Sequence, residues 1–587
     1  MSVCRQGAYP LKTQLLDFLA FTFIILILFA ASAMAGEDGV LTGPLVVSEN
    51  WPECTDLVTW MQDVMRLEGL QAADDTAQAK AFFRWLRLFN RMATGGMIQA
   101  VEGEYGEEDS VLDAHKNLFV YGWGFCDTHS RIAEAVWQEF KEDPNVAQRV
   151  ITKHEDGGYH TMYRLNLDGK WGAFDARYGY YLIAEDSPDA RVLDWVEVGV
   201  DENILKNQTF KYRSQPFFEY FGREWERALL LNPVFYNSQK EWEEAGSPIE
   251  CVFADPMYKM GTRYHDMAFH IPKGATIERY WNNSARQFYV PARVVEEPFR
   301  PSGRFYRVTE TMLDGNWVKY DPNYGKCAAY VTTVPLDEGY KDEVAGGKTI
   351  GQAWGKFIYS PDWSNLSSLE GSGIQGDMVY SREAPHLRPK ELETSGEAVF
   401  DFYNPYVWVN GTLSGEIAAK PDDAVRLEIR TLLPKPRNAE MPDVWSKWQT
   451  LHTGGGPFRL ELGRERFNSE DVSIHGIYRF QLRMVIPADP LRREPVGLSF
   501  LRLDGYFENG IMSIPRIVEG HNTIHFKVAD AAGISGPIEI IYSYQTPSGE
   551  KSHRQTLYKS DFKSGVATYS FEAPNLTRCN SLIIRYW

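Results

Sequence analysis

Apolar residues recur at helical spacing in two stretches near the start of the chain: Leu57, Trp60, Met61 and Val64, then Ala79, Phe82, Phe83, Leu86 and Phe89. Intervals of three and four place each set on one face, so both stretches are predicted as amphipathic helices. Thr55 is the expected cap of the first, and Asp74 or Asp75 that of the second. A third helix is expected after Cys126, where Ile132, Ala135, Val136 and Phe140 form one stripe beneath polar Arg131, Glu134 and Gln138. From about Val150 the period becomes two and stays so, with interruptions, to the last residue. The clearest strands are Val425-Leu427-Ile429, Phe458-Leu460-Leu462, Tyr478-Phe480-Leu482-Met484, Ile524-Phe526-Val528 and Ile538-Ile540-Tyr542-Tyr544. Alternation means one buried face, which predicts antiparallel sheets packed as sandwiches.

Punctuation divides this pattern. Residues 370–395 and 487–495, rich in Gly, Ser, Pro and charge, read as linkers. The expected organisation is an export signal over 1–35, a first domain of helices then strands over 36–195, a β-rich middle region with its linker over 196–395, and two β-sandwiches over 396–490 and 491–587. The signal rests on Arg5 and Lys12, the apolar run Phe18 to Ala30, and Ala33-Met34-Ala35 before Gly36. An uncleaved anchor is the competing reading of the same run. One internal echo stands out: Asp168-Gly169-Lys170-Trp171 with Asp175 recurs as Asp314-Gly315-Asn316-Trp317 with Asp321, but Tyr306 replaces His160. An Asp-Gly turn between alternating flanks predicts a β-hairpin at each place.

Composition narrows the function. Sixty-one basic against 79 acidic residues leave a formal charge of −18, which argues against nucleic acid as a partner. With 44% hydrophobic, 24% charged and 14% aromatic residues, the chain is neither disordered nor a polytopic membrane protein. Once Cys4 leaves with the signal, Cys54, Cys126, Cys251, Cys327 and Cys579 remain, an odd set that leaves at least one thiol unpaired in an oxidising compartment.

Cys126 is the best nucleophile among them. It follows the Gly-punctuated stretch Tyr121-Gly122-Trp123-Gly124-Phe125 and opens the third predicted helix. A helix N-terminus carries partial positive charge and unsatisfied N–H groups, which favour thiolate over thiol and can hold a developing oxyanion. A thiolate that attacks a carbonyl needs an acid/base partner and a group to orient it. His160 enters a strand that turns at Asp168-Gly169 and returns to Asp175. A two-residue turn sets Met162 opposite Asp175 and makes His160 the diagonal neighbour on the same face, roughly 7–8 Å away at the backbone. Other sets are weaker: Cys251 with His265 and Asp266 reads as structural, His154 with His160 lacks a third metal ligand, and His129 reads as a packing residue.

Gly-Phe-Cys at a helix start, the stretch GYHTMYRLNLDGKWGAFDARYG and the order Cys, His, Asp resemble the transglutaminase-like superfamily over about residues 80–185. The resemblance implies an α+β, papain-related core in which the Cys helix packs on an antiparallel sheet carrying His and Asp. It implies a thioester on Cys126, with His160 as general acid/base and Asp175 as its orienter, the acyl group passing to water or an amine. Many members carry an aromatic and an acidic residue just after the His and a Pro after the Asp; here these are Met162, Arg164 and Ala176, which leaves substrate type open. Trp123 is the candidate for the oxyanion-stabilising Trp of some relatives. The expectation is therefore a secreted, periplasmic or cell-surface thiol enzyme acting on amide bonds of a protein or peptide, or of cell-wall or glycan material. It calls for no cofactor or metal. The alternative is a non-catalytic surface protein that uses the fold as a scaffold for binding glycan or protein.

Overall fold

The computed structural model describes residues 39–92, 113–124, 126–153, 159–176, 180–194, 197, 233–234, 265–281, 352–369, 372–433, 444–463, 473–474 and 476–587. The signal segment, Cys251, Cys327, His154 and the echo at 314–325 lie outside the described residues. Mostly antiparallel β-structure is observed, arranged as β-sandwiches, and among the described residues the long helices fall in the first quarter of the chain.

Two short strands come first, β1 (Val40–Thr42) and β2 (Leu45–Ser48). The helices follow where the periodicity places them: α1 (Leu57–Leu67), α2 (Asp75–Phe89) and α3 (Cys126–Lys141). Aromatic contacts join them, with Trp60 of α1 against Phe82 of α2 at 6.2 Å and Phe82 against Trp137 of α3 at 5.9 Å between ring centroids. Asp74 caps α2 as expected, its carboxylate accepting from the Ala77 N–H at 2.8 Å. The cap of α1 is Asp56 and not Thr55: Asp56 has extended backbone and its Oδ1 accepts from the Thr59 N–H at 2.8 Å, while the Thr55 hydroxyl donates to Glu53. Helices α2 and α3 lie on a five-stranded antiparallel sheet that includes β3 (Ala147–Lys153), β4 (Tyr159–Leu167) and β5 (Lys170–Asp175), and α1 packs on those two helices. Phe83 of α2 meets Phe174 of β5 at 5.7 Å.

The remaining strands build the sandwiches: β6 (Ala275–Tyr280), β7 (Gln352–Tyr359), β8 (Gly396–Tyr403), β9 (Val407–Ala418), β10 (Arg426–Leu433), β11 (Gly456–Glu461), β12 (Arg479–Ile486), β13 (Gly497–Gly510), β14 (Gly520–Lys527), β15 (Ile538–Thr546), β16 (Gly549–Leu557), β17 (Val566–Ala573) and β18 (Arg578–Tyr586). One ten-stranded sheet carries the sequence β11-β9-β13-β7-β6-β18-β15-β16. A six-stranded sheet with β8, β12 and β10 packs on one half, where Phe357, Phe402, Trp408 and Phe480 meet. The three-stranded sheet β2-β14-β17 packs on the other half, where Tyr542 meets Phe571 at 6.1 Å.

Three features depart from the sequence-based division. Strands β1 and β2, inside the segment 36–195, pair with residues 270–272 and with β14, so the helices are inserted into a sandwich that the chain has already begun. The ten-stranded sheet runs across residues 395 and 490, because β13 pairs with β9 on one edge and with β7 on the other. The supposed linker 370–395 supplies ordered strands, residues 375–376 on β8 and Leu387 on β13. Residues 487–495 are also tied down, with the Arg492 guanidinium donating to the carbonyls of Leu392, Thr394 and Pro487. Backbone pairing needs no particular side chains, so Gly-, Pro- and charge-rich stretches can carry it.

Candidate functional site

Cys126 is the first residue of α3. A π-helical turn, Lys116–Tyr121, ends at Gly122 in the left-handed conformation (φ 68°), and a two-residue parallel strand pairing of Trp123–Gly124 with Arg91–Met92 delivers the chain to the helix start. Ile132, Val136 and Trp137, all wholly buried, fix the far side of α3. Cys126 itself is half-buried, is not in a disulfide, and its carbonyl accepts from Ser130 Oγ at 2.8 Å. Trp123 has a described backbone only, and its indole lies outside the described groups.

The hairpin arithmetic holds. Tyr163 pairs with Phe174 and Leu165 with Gly172, and the two-residue turn uses left-handed backbone at Asp168 (φ 52°) and Gly169 (φ 86°). His160 lies on β4 opposite Thr152 of β3, and Asp175 ends β5 opposite Tyr180. Strand alternation puts His160, Met162 and Arg164 on the same face as Ala173 and Asp175, with Tyr163, Leu165 and Phe174 on the other. The His160 imidazole lies outside the described groups, whereas the Asp175 side chain is wholly buried. Helix α3 packs on β3 and β4 over the face that carries Arg149, Tyr163 and Phe174, with Arg149 Nε 3.1 Å from Glu134 of α3, so alternation sets His160 and Asp175 on the opposite face of the same sheet.

The surroundings of Asp175 are electrostatically structured. Burial pushes the Tyr163 hydroxyl well above its ordinary pKa, the nearby charge of Asp175 pushes it further, and Arg87 of α2 opposes both. Arg164, where an acidic residue was expected from the resemblance, is committed locally: it donates to Gln148 at 2.9 and 2.6 Å and to Asp194 at 3.2 Å, and stacks 4.5 Å from the Trp171 ring centroid.

Other candidates fall into structural roles. His129 is buried, with Nε2 2.9 Å from the Asn90 carbonyl oxygen. Cys54 and Cys579 are buried, and burial drives the Cys54 thiol far above the usual range, which leaves it protonated and inert. His265 has Nε2 2.6 Å from the Pro405 carbonyl oxygen and its ring against Tyr478. Among the described residues no group of three His, Cys, Asp or Glu is placed to hold a metal ion, and no helix is long and apolar enough to cross a membrane. A cleft of about 970 Å³ also opens along the polar side of α3, lined by Arg131, Glu134, Gln138, His115 and Asp266 among others. Sequence reasoning missed it, because in the sequence Arg131, Glu134 and Gln138 read only as a solvent face.

No protein-family model matches the chain, and no curated protein matches it. Among solved structures, the β-glucuronidase of Bacteroides uniformis aligns at 13% identity over 32% of this chain and 22% of its own, with a TM-score of 0.12. A glycosyl hydrolase family 2 member from Bacteroides cellulosilyticus aligns at 8% identity over 36% of this chain and 32% of its own, again with a TM-score of 0.12. The matches span a third or less of those chains, and likeness at this level carries no argument about fold or activity.

Proposed function

We propose that the chain is an exported thiol enzyme of transglutaminase-like type that acts on amide bonds of a protein or peptide substrate through a thioester on Cys126. In this reading the Cys126 thiolate attacks the amide carbonyl, the oxyanion is held by N–H groups at the start of α3 with Trp123 as a further candidate donor, and His160 protonates the leaving amine. His160 then takes a proton from the incoming water or amine, and Asp175 holds the imidazole in the productive tautomer. What supports it is a half-buried thiol at the head of α3, the packing of α3 on β3 and β4, and His160 and Asp175 on adjacent strands with the same facing; the triad then requires their side chains to reach Cys126 around the end of the hairpin, beyond its last ladder pair, Tyr163 with Phe174. Hydrolysis and transfer both proceed from one thioester, water access decides between them, and amide hydrolysis is the favoured reaction.

The test is a comparison of variants on a panel of glutamine-amide, peptide and ester substrates. Cys126→Ala should abolish turnover and His160→Ala should come close to it. Asp175→Ala should retain roughly ten- to hundredfold more activity than loss of the nucleophile, as orienting residues do in other triads. Iodoacetamide should modify Cys126 much faster than Cys54 or Cys579 at neutral pH. Wild type indistinguishable from Cys126→Ala across the panel, with slow alkylation of Cys126, would leave the scaffold reading in its place.

A further inference from the structure

Arg279 is a buried cation without a described counter-ion. It lies on β6, only 5% exposed, at the seam where the start of the helical insertion meets the sandwich. Its Nη2 donates to the Tyr406 hydroxyl at 2.7 Å and to the carbonyl oxygen and hydroxyl of Ser513, each at 3.0 Å. The guanidinium carbon stands 4.5 Å from the Tyr406 ring centroid. All of these partners are neutral. Nε is buried and makes no hydrogen bond among the described residues. The one carboxylate lining the same space, Glu53, is engaged by Lys527 Nζ at 2.7 Å and by the Thr55 hydroxyl at 2.8 Å.

Arginine cannot lose its proton to escape burial, so its charge has to be balanced where it stands. Beside it is a cavity of about 20 Å³ lined by Arg279, Tyr406, Ser513 and Cys54, and otherwise largely by apolar side chains such as Phe269 and Leu582. One water needs roughly 10–15 Å³, so the space is of the size that a water or a small ion fills. The Cys54 thiol does not supply the negative charge, since it donates to the Pro52 carbonyl at 3.4 Å.

We propose that this cavity is a structural site for one monatomic anion, a halide, held by Arg279. It joins segments distant in the chain, since β2, residues 52–54, β6, Tyr406, Ser513 and β18 all border it. An anion there neutralises the guanidinium and ties the insertion to both faces of the sandwich. This site is independent of the Cys126 chemistry.

Crystals of the full chain grown with bromide as the sole halide should show an anomalous peak in the cavity, at hydrogen-bond range of Arg279 Nε. In solution, replacing gluconate by bromide at constant ionic strength should raise the thermal midpoint by roughly 1–3 °C for each tenfold increase above saturation. Arg279→Met, close in shape and uncharged, should remove that dependence. The diffraction measurement uses the unaltered protein and therefore decides the matter even if Arg279→Met fails to fold. A cavity that is empty or holds water in the bromide crystals, or a halide dependence unchanged in Arg279→Met, would overturn the proposal.

Discussion

The Tyr163 phenol is fully buried, stacks on Phe174 at 5.6 Å, and its hydroxyl has no hydrogen-bond partner among the described residues. A buried polar group that has lost water and gained nothing destabilises the fold by about 1–3 kcal/mol. Tyr163→Phe keeps the stacked ring and removes the unpaired oxygen, so its urea midpoint should equal or exceed that of wild type at unchanged m-value. A fall of more than about 1 kcal/mol would show that the hydroxyl has a partner, and Asp175 would be the first to examine. At this scale the positions of Cys126, His160 and Asp175 were legible because local rules describe them: a helix start and the two arms of an Asp-Gly hairpin. Tyr163 was not, since alternation assigns it to a packed face and says nothing of where its hydroxyl ends.

Among the elements, α1 shows how close a local reading comes. Thr55 and Asp56 are adjacent and both are good capping types, so spacing alone could not choose between them; the extended backbone of Asp56 (φ −142°, ψ 160°) did. Asp56→Ala should cost about 1 kcal/mol in chemical denaturation, and Thr55→Ala only a few tenths. Equal costs would mean that the two residues share the cap. A second element has no local signature at all. On the outer face of β10 and β12, Arg430 lies over both Trp445 and Trp448, at 4.7 and 4.5 Å from their ring centroids, while Arg479 stands 5.5 Å from the Trp445 ring and Arg483 4.3 Å from the Trp448 ring. Three guanidiniums gather over two indoles there because Arg430 stands beside Gln481 on the paired strand, between Arg479 and Arg483.

For the whole molecule, the junction between insertion and sandwich carries a pH dependence. His265 is packed between the π-helical turn, with Asp113, His115 and Lys116, and Tyr478 of the sandwich, and its pKa is lowered to about 4 chiefly by burial and then by Lys116. The unfolded chain therefore binds the proton first. Stability from this group is complete above pH about 6.5 and is lost as pH falls to 4 and below, by about 3 kcal/mol in all. His265→Gln can keep a donor for the Pro405 carbonyl without titrating, so its denaturation midpoint should fall less than that of wild type between pH 7 and 4.5. Parallel curves for the two proteins would remove His265 from the acid response.

What the sequence determined by itself is what depends on neighbours in the chain. Helix spacing in α1, α2 and α3, alternation in β10, β12, β14 and β15, and the Asp168-Gly169 turn with its register all express short-range geometry, so they were readable residue by residue. The tertiary structure alone decided that β2 and β14, nearly five hundred residues apart, share a sheet, that one sheet runs through both C-terminal sandwiches, and that Arg279 is buried among neutral partners. Strands of three or four residues bury too little to leave an alternating pattern, and backbone hydrogen bonds between distant segments are indifferent to side-chain type. Such pairings are selected by the total apolar surface that the assembled sheets bury, a quantity that belongs to the folded chain as a whole.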